Sequence, residues 1–185
     1  MSIMKNIACS AVVLAALALS GCASYTWRSS VPAEMRTVSV PTFLNESEVT
    51  ELGSVVTRQV LREFQREGTM RIAPQGRSAI EVQGVVKTSG SSLVAYERKT
   101  GTRNREHVLK VTALVSFIDK KAGKVVVNDR KYSASASFVA YDDILTAERD
   151  ASGRIAEELA RQIVDDVLSQ NWGGDEAGKD SGKEQ

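Results

Sequence analysis

Residues 109–138 read LKVTALVSFIDKKAGKVVVNDRKYSASASF, and their alternation of apolar and polar side chains decides the fold. The apolar positions of the first half are Leu109, Val111, Ala113, Val115 and Phe117. This two-residue period is typical of a β-strand with one buried face. A turn-forming stretch at 119–123 separates the run from a second alternating run. The two runs therefore predict an antiparallel hairpin.

The second run, 124–138, continues with the same period. Its predicted core-facing residues are Val126, Tyr132, Ala134, Ala136 and Phe138. Its predicted water-facing residues are Asp129, Lys131, Ser133, Ser135 and Ser137. Because the second set is polar throughout, we expect this face of the sheet to be wet and free to contact a partner.

An amphipathic helix precedes the hairpin. From 49 to 64, apolar residues recur at intervals of three and four, which predicts a helix with one buried stripe. Asn45 or Ser47 is the expected N-cap, and Gly68 is expected to end the helix in a left-handed conformation. An interfacial membrane helix is the alternative explanation of the same stripe.

Two further strands are predicted around this helix. The run 36–40 is rich in β-branched residues and is ended by Pro41. A second strand begins near 79, and the Ser-Gly stretch that interrupts it predicts a bulge or bend at Gly90.

The final helix has the clearest periodicity in the chain. Its apolar stripe consists of Ile155, Ala156, Leu159, Ala160, Ile163, Val164, Val167 and Leu168. The helix is expected to begin as early as Asp142 or Asp143 and to end at Trp172. Together the elements predict an α+β fold. It is a two-layer sandwich in which two helices pack on one face of a four-stranded mixed sheet, in the order β-α-β-β-β-α.

The N-terminus has the pattern of an export signal with a lipid attachment site. A single charge at Lys5 precedes an apolar run at 7–19, and the tetrapeptide Leu-Ser-Gly-Cys at 19–22 resembles the bacterial lipobox. Cys22 is then the acylated first residue of the mature protein, and Ala23 favours sorting to the outer membrane. The alternatives are an ordinary signal peptide with a chance cysteine, or an uncleaved anchor.

These patterns divide the 185-residue chain into four parts. Residues 1–21 are the predicted lipoprotein signal peptide, and 22–34 the lipidated tether. Residues 35–172 form the α+β domain, and 173–185 a tail expected to be disordered because it has no large apolar residue. Cys9 lies in the signal peptide, so the mature chain is expected to have no disulfide.

Charge and composition exclude some classes of partner. Without Lys5, the only charged residue of 1–21, the chain has 23 basic and 23 acidic residues. A generally basic nucleic-acid binder is therefore excluded. Aromatic residues make up only 5% of the chain, which argues against a base-stacking platform. We expect no nucleic-acid partner.

Residues for catalysis are nearly absent. His107 is the only histidine, and no nucleophile elbow, P-loop or spaced Cys/His cluster is present. The pairs at 142–143 and 165–166 are aspartates that suit helix capping and solvation better than acid–base chemistry. We therefore expect neither an enzyme nor a metal or cofactor site.

Two clusters of basic residues are candidates for binding. Arg98, Lys99, Arg103 and Arg105 lie between the second strand and the hairpin. Lys120, Lys121 and Lys124 crowd the hairpin turn. In an antiparallel meander these connections lie at opposite ends of the sheet. Because guanidinium groups suit bidentate phosphate contacts, we expect the first cluster to bind a lipid A phosphate or a phospholipid headgroup. Loop solubility is the alternative, and Glu97 and Glu106 partly neutralise the cluster.

The order of motifs also resembles a known family. After the lipobox come Val31-Pro32 and the opening run RTVSVPTFLN at 36–45, followed by AIEVQG at 79–84 and GKV at 123–125. Tyr141 precedes a last helix ending near Trp172. This set resembles the lipopolysaccharide-assembly lipoprotein family LptE over about 19–172. One departure is Arg77-Ser78, where the family pattern leads us to expect Ala-Asp.

The resemblance implies a location and a set of partners. It implies an outer-membrane lipoprotein, held by acyl chains such as palmitate, with its domain on the periplasmic side or within a barrel lumen. It further implies a plug that assists assembly of the β-barrel LptD and helps to deliver lipopolysaccharide to the outer leaflet. The alternative is a periplasm-facing lipoprotein that regulates a peptidoglycan synthase or forms part of a secretion channel.

Overall fold

A computed structural model describes residues 31–95, 105–139 and 144–172 of the chain. Within them the α+β class and the mixed sheet are confirmed. The elements are a 3-10 helix (Ala33–Met35), β1 (Thr37–Ser39), β2 (Leu44–Asn45), α1 (Leu52–Glu67), β3 (Arg71–Ile72), β4 (Ile80–Ala95), β5 (Arg105–Asp119), β6 (Lys124–Val139) and α2 (Ile144–Ser169). The predicted signal peptide, most of the predicted tether and the predicted tail lie outside the described residues.

The described sheet has six strands, so the prediction of four was wrong. The two unpredicted strands, β2 and β3, have two residues each. All four residues are exposed, and a run of two shows no period. Only their pairing with neighbouring strands makes them strands, β2 with β4 and β3 with β1.

The sheet combines parallel and antiparallel pairs in the order β3-β1-β4-β5-β6, with β2 also on β4. Strand β1 is parallel to β3 and β4, whereas β4, β5 and β6 form the predicted antiparallel meander. Ile80 lies opposite Asp119 and Ala95 lies opposite Arg105. At about 3.3 Å per residue, β4 is about 50 Å long.

Bulges adjust the register of the long strands. The predicted irregularity at Gly90 is confirmed, because the pairing of β4 with β5 shifts between Thr88 and Gly90. Strand β6 shifts twice near Phe117 of β5, and Val127 rather than Val126 lies opposite that ring. The prediction that Val126 faces the core was therefore wrong. The extra residues near Asp129, whose φ is +46°, reverse the alternation.

Both helices pack on one face of the sheet and close a single core. Helix α1 buries Leu52, Val56, Val60 and Phe64, and α2 buries the stripe from Ile155 to Val167. Ile80, Val82 and Val86 of β4 are likewise fully buried, as are the core-facing side chains of β5 from Leu109 to Phe117. Burying each such side chain stabilises the fold by roughly 1.5–3 kcal/mol.

The ends of α1 confirm one prediction and correct another. Gly68 ends the helix at φ +74°, and its N–H donates to the carbonyl of Phe64, as predicted. Neither Asn45 nor Ser47 is the N-cap, which is Glu51 at φ +62°. Asn45 and Ser47 instead donate to the carbonyl of Val49, so they order the loop before the helix.

Phe43 holds the loop before α1 against the sheet. Its N–H donates to Thr57 Oγ1 at 2.9 Å, and that hydroxyl donates to the Gly53 carbonyl at 2.7 Å. The ring lies on Gly84, where a Cβ would be 2.5 Å from the nearest ring carbon. Gly84 is therefore needed in β4 for close approach of the ring.

Candidate functional site

The predicted binding residues fall largely outside the described part of the chain. Cys22, Arg98, Lys99 and Arg103 are not described, and Arg105 is described only as the first residue of β5. The two connections of the meander do lie at opposite ends of the sheet, as predicted. The structure therefore separates Ala95 and Arg105 from the lysine-rich β5–β6 turn by about 50 Å.

His107 has a structural role. Its ring stacks on Phe138, the residue opposite it on β6, with ring centroids 5.2 Å apart and planes 13° apart. The stack extends the core towards the end of the sheet. Among the described residues, no group of three His, Cys, Asp or Glu side chains is arranged to hold a metal ion.

The aspartate pair at 165–166 divides into two different environments. Asp165 is exposed, whereas Asp166 accepts hydrogen bonds from three side chains, two on β6 and one just after α2. Arg130 Nη1 donates to Asp166 Oδ2 at 2.6 Å, and Gln170 Nε2 donates to Oδ1 at 2.7 Å. The hydroxyl of Tyr132 also donates to Oδ2.

Electrostatics in this cluster favour a structural role. Burial raises the pKa of Tyr132, and the hydrogen bond to the Asp166 carboxylate raises it further, so the hydroxyl remains a donor at neutral pH. The pKa of Arg130 is also raised, mainly by its hydrogen bond to Asp166. The hydrogen bonds of this cluster hold α2 against the edge strand β6. The prediction of solvation holds for Asp165 but not for Asp166.

The helix-free side of the sheet is the main unoccupied surface of the described domain. We call it the open face. It is formed by Gln83, Val85 and Lys87 of β4, Leu114 and Ser116 of β5, and Lys131, Ser133, Ser135 and Ser137 of β6. Its β6 part is polar as predicted, with exposed Lys131, Ser135 and Ser137.

A shallow trough crosses the open face. Leu44 lies beside Val85, and Val85 lies opposite Leu114, so three apolar side chains form one row across three strands. The cavity has a volume of about 280 Å³ and includes Ser116 and Asp129 in its wall. The Leu44 side chain is 65% exposed. The trough can accept one apolar side chain between polar neighbours.

The trough is only weakly indicated by the sequence. Leu44 belongs to a two-residue strand without periodicity, and its place beside Val85 follows only from the parallel pairing of β2 with β4. Val85 and Leu114 occupy positions that alternation assigns to the wet face. The one sign of the trough in the sequence is therefore the presence of these apolar residues on otherwise polar strand faces.

A buried carboxylate lies at one end of the open face. Glu81 Oε1 accepts a hydrogen bond from Gln83 Nε2. Glu81 Oε2 has no hydrogen bond and lies 3.6 Å from the ammonium of Lys120. Because the carboxylate is almost fully buried, Lys120 is its main charge partner, and the pair ties the β5–β6 turn to β4.

No described helix is both long and apolar enough to cross a membrane. A family model described as LptE, lipopolysaccharide-assembly, matches residues 35–167. No curated protein matches the sequence.

Solved structures of several bacterial lipoproteins are similar to this chain. Lipoprotein B from Nitrosomonas europaea is 12% identical over 80% of this chain and 90% of its own, with a TM-score of 0.53. A putative lipoprotein from Caulobacter crescentus is 17% identical over 69% and 88%, with a TM-score of 0.45. The minor lipoprotein from Acinetobacter baumannii is 14% identical over 73% and 94%, with a TM-score of 0.44. At 12% identity, the likeness to the Nitrosomonas protein concerns the fold alone.

Proposed function

Since this chain belongs to the lipopolysaccharide-assembly family LptE, we propose that it plugs the outer-membrane β-barrel LptD, assists its assembly and helps to deliver lipopolysaccharide to the outer leaflet. The family consists of outer-membrane lipoproteins that assist lipopolysaccharide assembly, and it is not an enzyme family. The anchor is the acylated Cys22, whose acyl chains hold the protein in the outer membrane.

The open face is the observation that carries the plug proposal. The interior of a large outer-membrane barrel is polar. A sheet face with Lys131, Ser135 and Ser137 exposed supplies hydrogen-bonding groups for such a wall. Strands β4, β5 and β6 are about 50 Å long, which exceeds the roughly 25 Å apolar band of an outer-membrane barrel. One domain is therefore long enough to fill the height of a lumen.

The direction of the chain supports an orientation for the plug. The tether leads into the domain at Val31, close to the start of β1 and therefore at the end of the sheet that holds the β5–β6 turn. Ala95 and Arg105, which flank the β4–β5 connection, lie at the other end. A plug anchored in the inner leaflet would direct that connection towards the outer leaflet. Arg98, Lys99, Arg103 and Arg105 are then placed to bind lipopolysaccharide phosphates.

Replacement of these four residues by Ser tests the lipopolysaccharide site. We expect lipopolysaccharide affinity to fall on the order of tenfold or more with little change in melting temperature, because charge-assisted phosphate contacts are lost at an exposed site. The matched control replaces four exposed cations of the helix layer: Arg58, Arg62, Arg66 and Arg149. Equal affinities for the two variants would reject the patch.

Photo-cross-linking tests the docking of the open face. A photoreactive side chain at Ser135 is expected to label LptD in intact cells, because Ser135 is exposed at the middle of the polar β6 face. The control carries the same group at Gln65, which is exposed on α1 in the opposite layer. Labelling of the barrel from Gln65 but not from Ser135 would contradict docking through the open face.

A further inference from the structure

One end of the sheet carries a line of exposed cations. Arg71 lies opposite Thr37, at the point where β1 begins, and the start of β4 follows on the other side of β1. Ile80 then lies opposite Asp119, and Asp119 opposite Lys124. We call this end of the sheet, where β1, β3, β4 and β6 begin and β5 ends, the basal end. Its exposed cations are Arg36, Arg71, Arg77, Lys120, Lys121 and Lys124.

The carboxylates at the basal end leave most of this charge unbalanced. Asp119 is buried, and its Oδ1 accepts the backbone N–H groups of Lys121 and Ala122 at 2.8 and 2.9 Å. Glu81 is buried against Lys120. The exposed carboxylates near this end are Glu34 and Glu67.

Five of the six cations, all except Lys120, form no ion pair with another described residue. They are Arg36, which donates to the Val31 carbonyl, and Arg71, Arg77, Lys121 and Lys124. Their ammonium and guanidinium groups are therefore available to an external anion. From β3 to β6 the line spans about 19 Å, since neighbouring strands lie about 4.8 Å apart. Charge spread over that width suits an extended anionic surface better than a single small ligand.

The basal end is also the end nearest the expected anchor. Val31 is buried, and its carbonyl accepts a hydrogen bond at 3.1 Å from Arg36 Nε, next to the start of β1. Cys22 precedes Val31 by nine residues, which span at most about 30 Å when fully extended. A domain tethered at Cys22 therefore keeps its basal end within reach of the bilayer surface.

We infer that the basal end binds the anionic phospholipid headgroups of the leaflet that holds the anchor. This inference rests on the lipid anchor of the proposed function. The contact orients the domain on the membrane, with Ala95 and Arg105 about 50 Å from the headgroups. The contact with headgroups does not require LptD, so it also forms before the domain binds LptD.

Vesicle sedimentation tests the inference on the mature chain from residue 22, carrying Cys22→Ser so that no acyl chain contributes. We expect binding to vesicles of phosphatidylglycerol and phosphatidylcholine, no binding to phosphatidylcholine alone, and loss of binding at about 1 M salt, where the Debye length is about 3 Å. The combined variant Arg71→Gln, Lys121→Gln and Lys124→Gln should bind at least about tenfold more weakly. Lys120 is left intact because it faces Glu81.

The matched control removes the same charge from the helix layer, with Arg58→Gln, Arg62→Gln and Arg149→Gln, and should bind like the parent. Equal binding of variant and control would overturn the inference, as would equal binding to both kinds of vesicle. Binding only to phosphatidylcholine vesicles that carry lipid A would assign the cations to lipopolysaccharide instead. Because these vesicles contain no barrel, failure here leaves the plug proposal standing.

Discussion

Asp166→Ala should destabilise the domain by about 2–3 kcal/mol, although Asp166 was expected from the sequence to be a solvated residue. The substitution removes the acceptor of the buried Tyr132 hydroxyl, which costs about 1–3 kcal/mol. It also removes the ion pair with Arg130, whose side chain is 45% exposed, and such a pair contributes only about 0.2–1 kcal/mol. Gln170 loses little, because its amide also donates to the Asp166 carbonyl.

The neighbouring residue supplies the control for this prediction. Asp165 is exposed and carries the same charge on the same turn of α2, so Asp165→Ala should change stability by less than about 0.5 kcal/mol. Urea unfolding followed by circular dichroism measures both free energies of unfolding. If the two variants lose equal stability, the Asp166 cluster does not hold α2 on β6 and the reasoning fails.

Three further predictions concern the contact at Gly84, the hydroxyl of Tyr132 and the acyl anchor at Cys22. Gly84→Ala should lower the free energy of unfolding by about 1–3 kcal/mol, because its Cβ would lie 2.5 Å from the Phe43 ring. In a double-mutant cycle, the addition of Phe43→Leu should restore part of this stability. Strictly additive losses would refute the contact. The raised pKa of Tyr132 means that the folded state holds this proton more tightly than the unfolded state, so the contribution of Tyr132 to stability should be constant below about pH 10 and be lost as the pH rises above it. Tyr132→Phe should flatten that fall in a pH series of unfolding experiments, and an unchanged slope would show that another group causes it. Cys22→Ala should abolish incorporation of radiolabelled palmitate and move the protein out of the outer-membrane fraction, whereas a variant that stays labelled would refute the anchor.

The long periodic elements of the fold are predictable from the sequence because each buries one face over many residues. The β5–β6 hairpin, the two helix stripes, the end of α1 at Gly68 and the bulge at Gly90 are all confirmed. Strands β2 and β3 escaped prediction because two residues have no period, and their pairing depends on distant partners. Val126 was misplaced because bulges in β6 reverse the alternation.

Candidate sites were less predictable than the fold, because they depend on which residues distant segments bring together. The prediction that β6 has a wet polar face was correct, but the apolar row of Leu44, Val85 and Leu114 depends on a parallel pairing that no local pattern encodes. Similarly, nothing in the sequence separates Asp165 from Asp166, since only the register of β6 places Tyr132 beneath the second. The cations of the basal end come from four separate segments, and the strand order unites them.

Affinity purification of the tagged, acylated protein from detergent-solubilised outer membrane tests the central claim most directly. Mass spectrometry of the co-purifying proteins should identify LptD as one large β-barrel in stoichiometric amount. Recovery of a peptidoglycan synthase or a secretion channel, without such a barrel, would contradict the plug and favour a periplasm-facing lipoprotein.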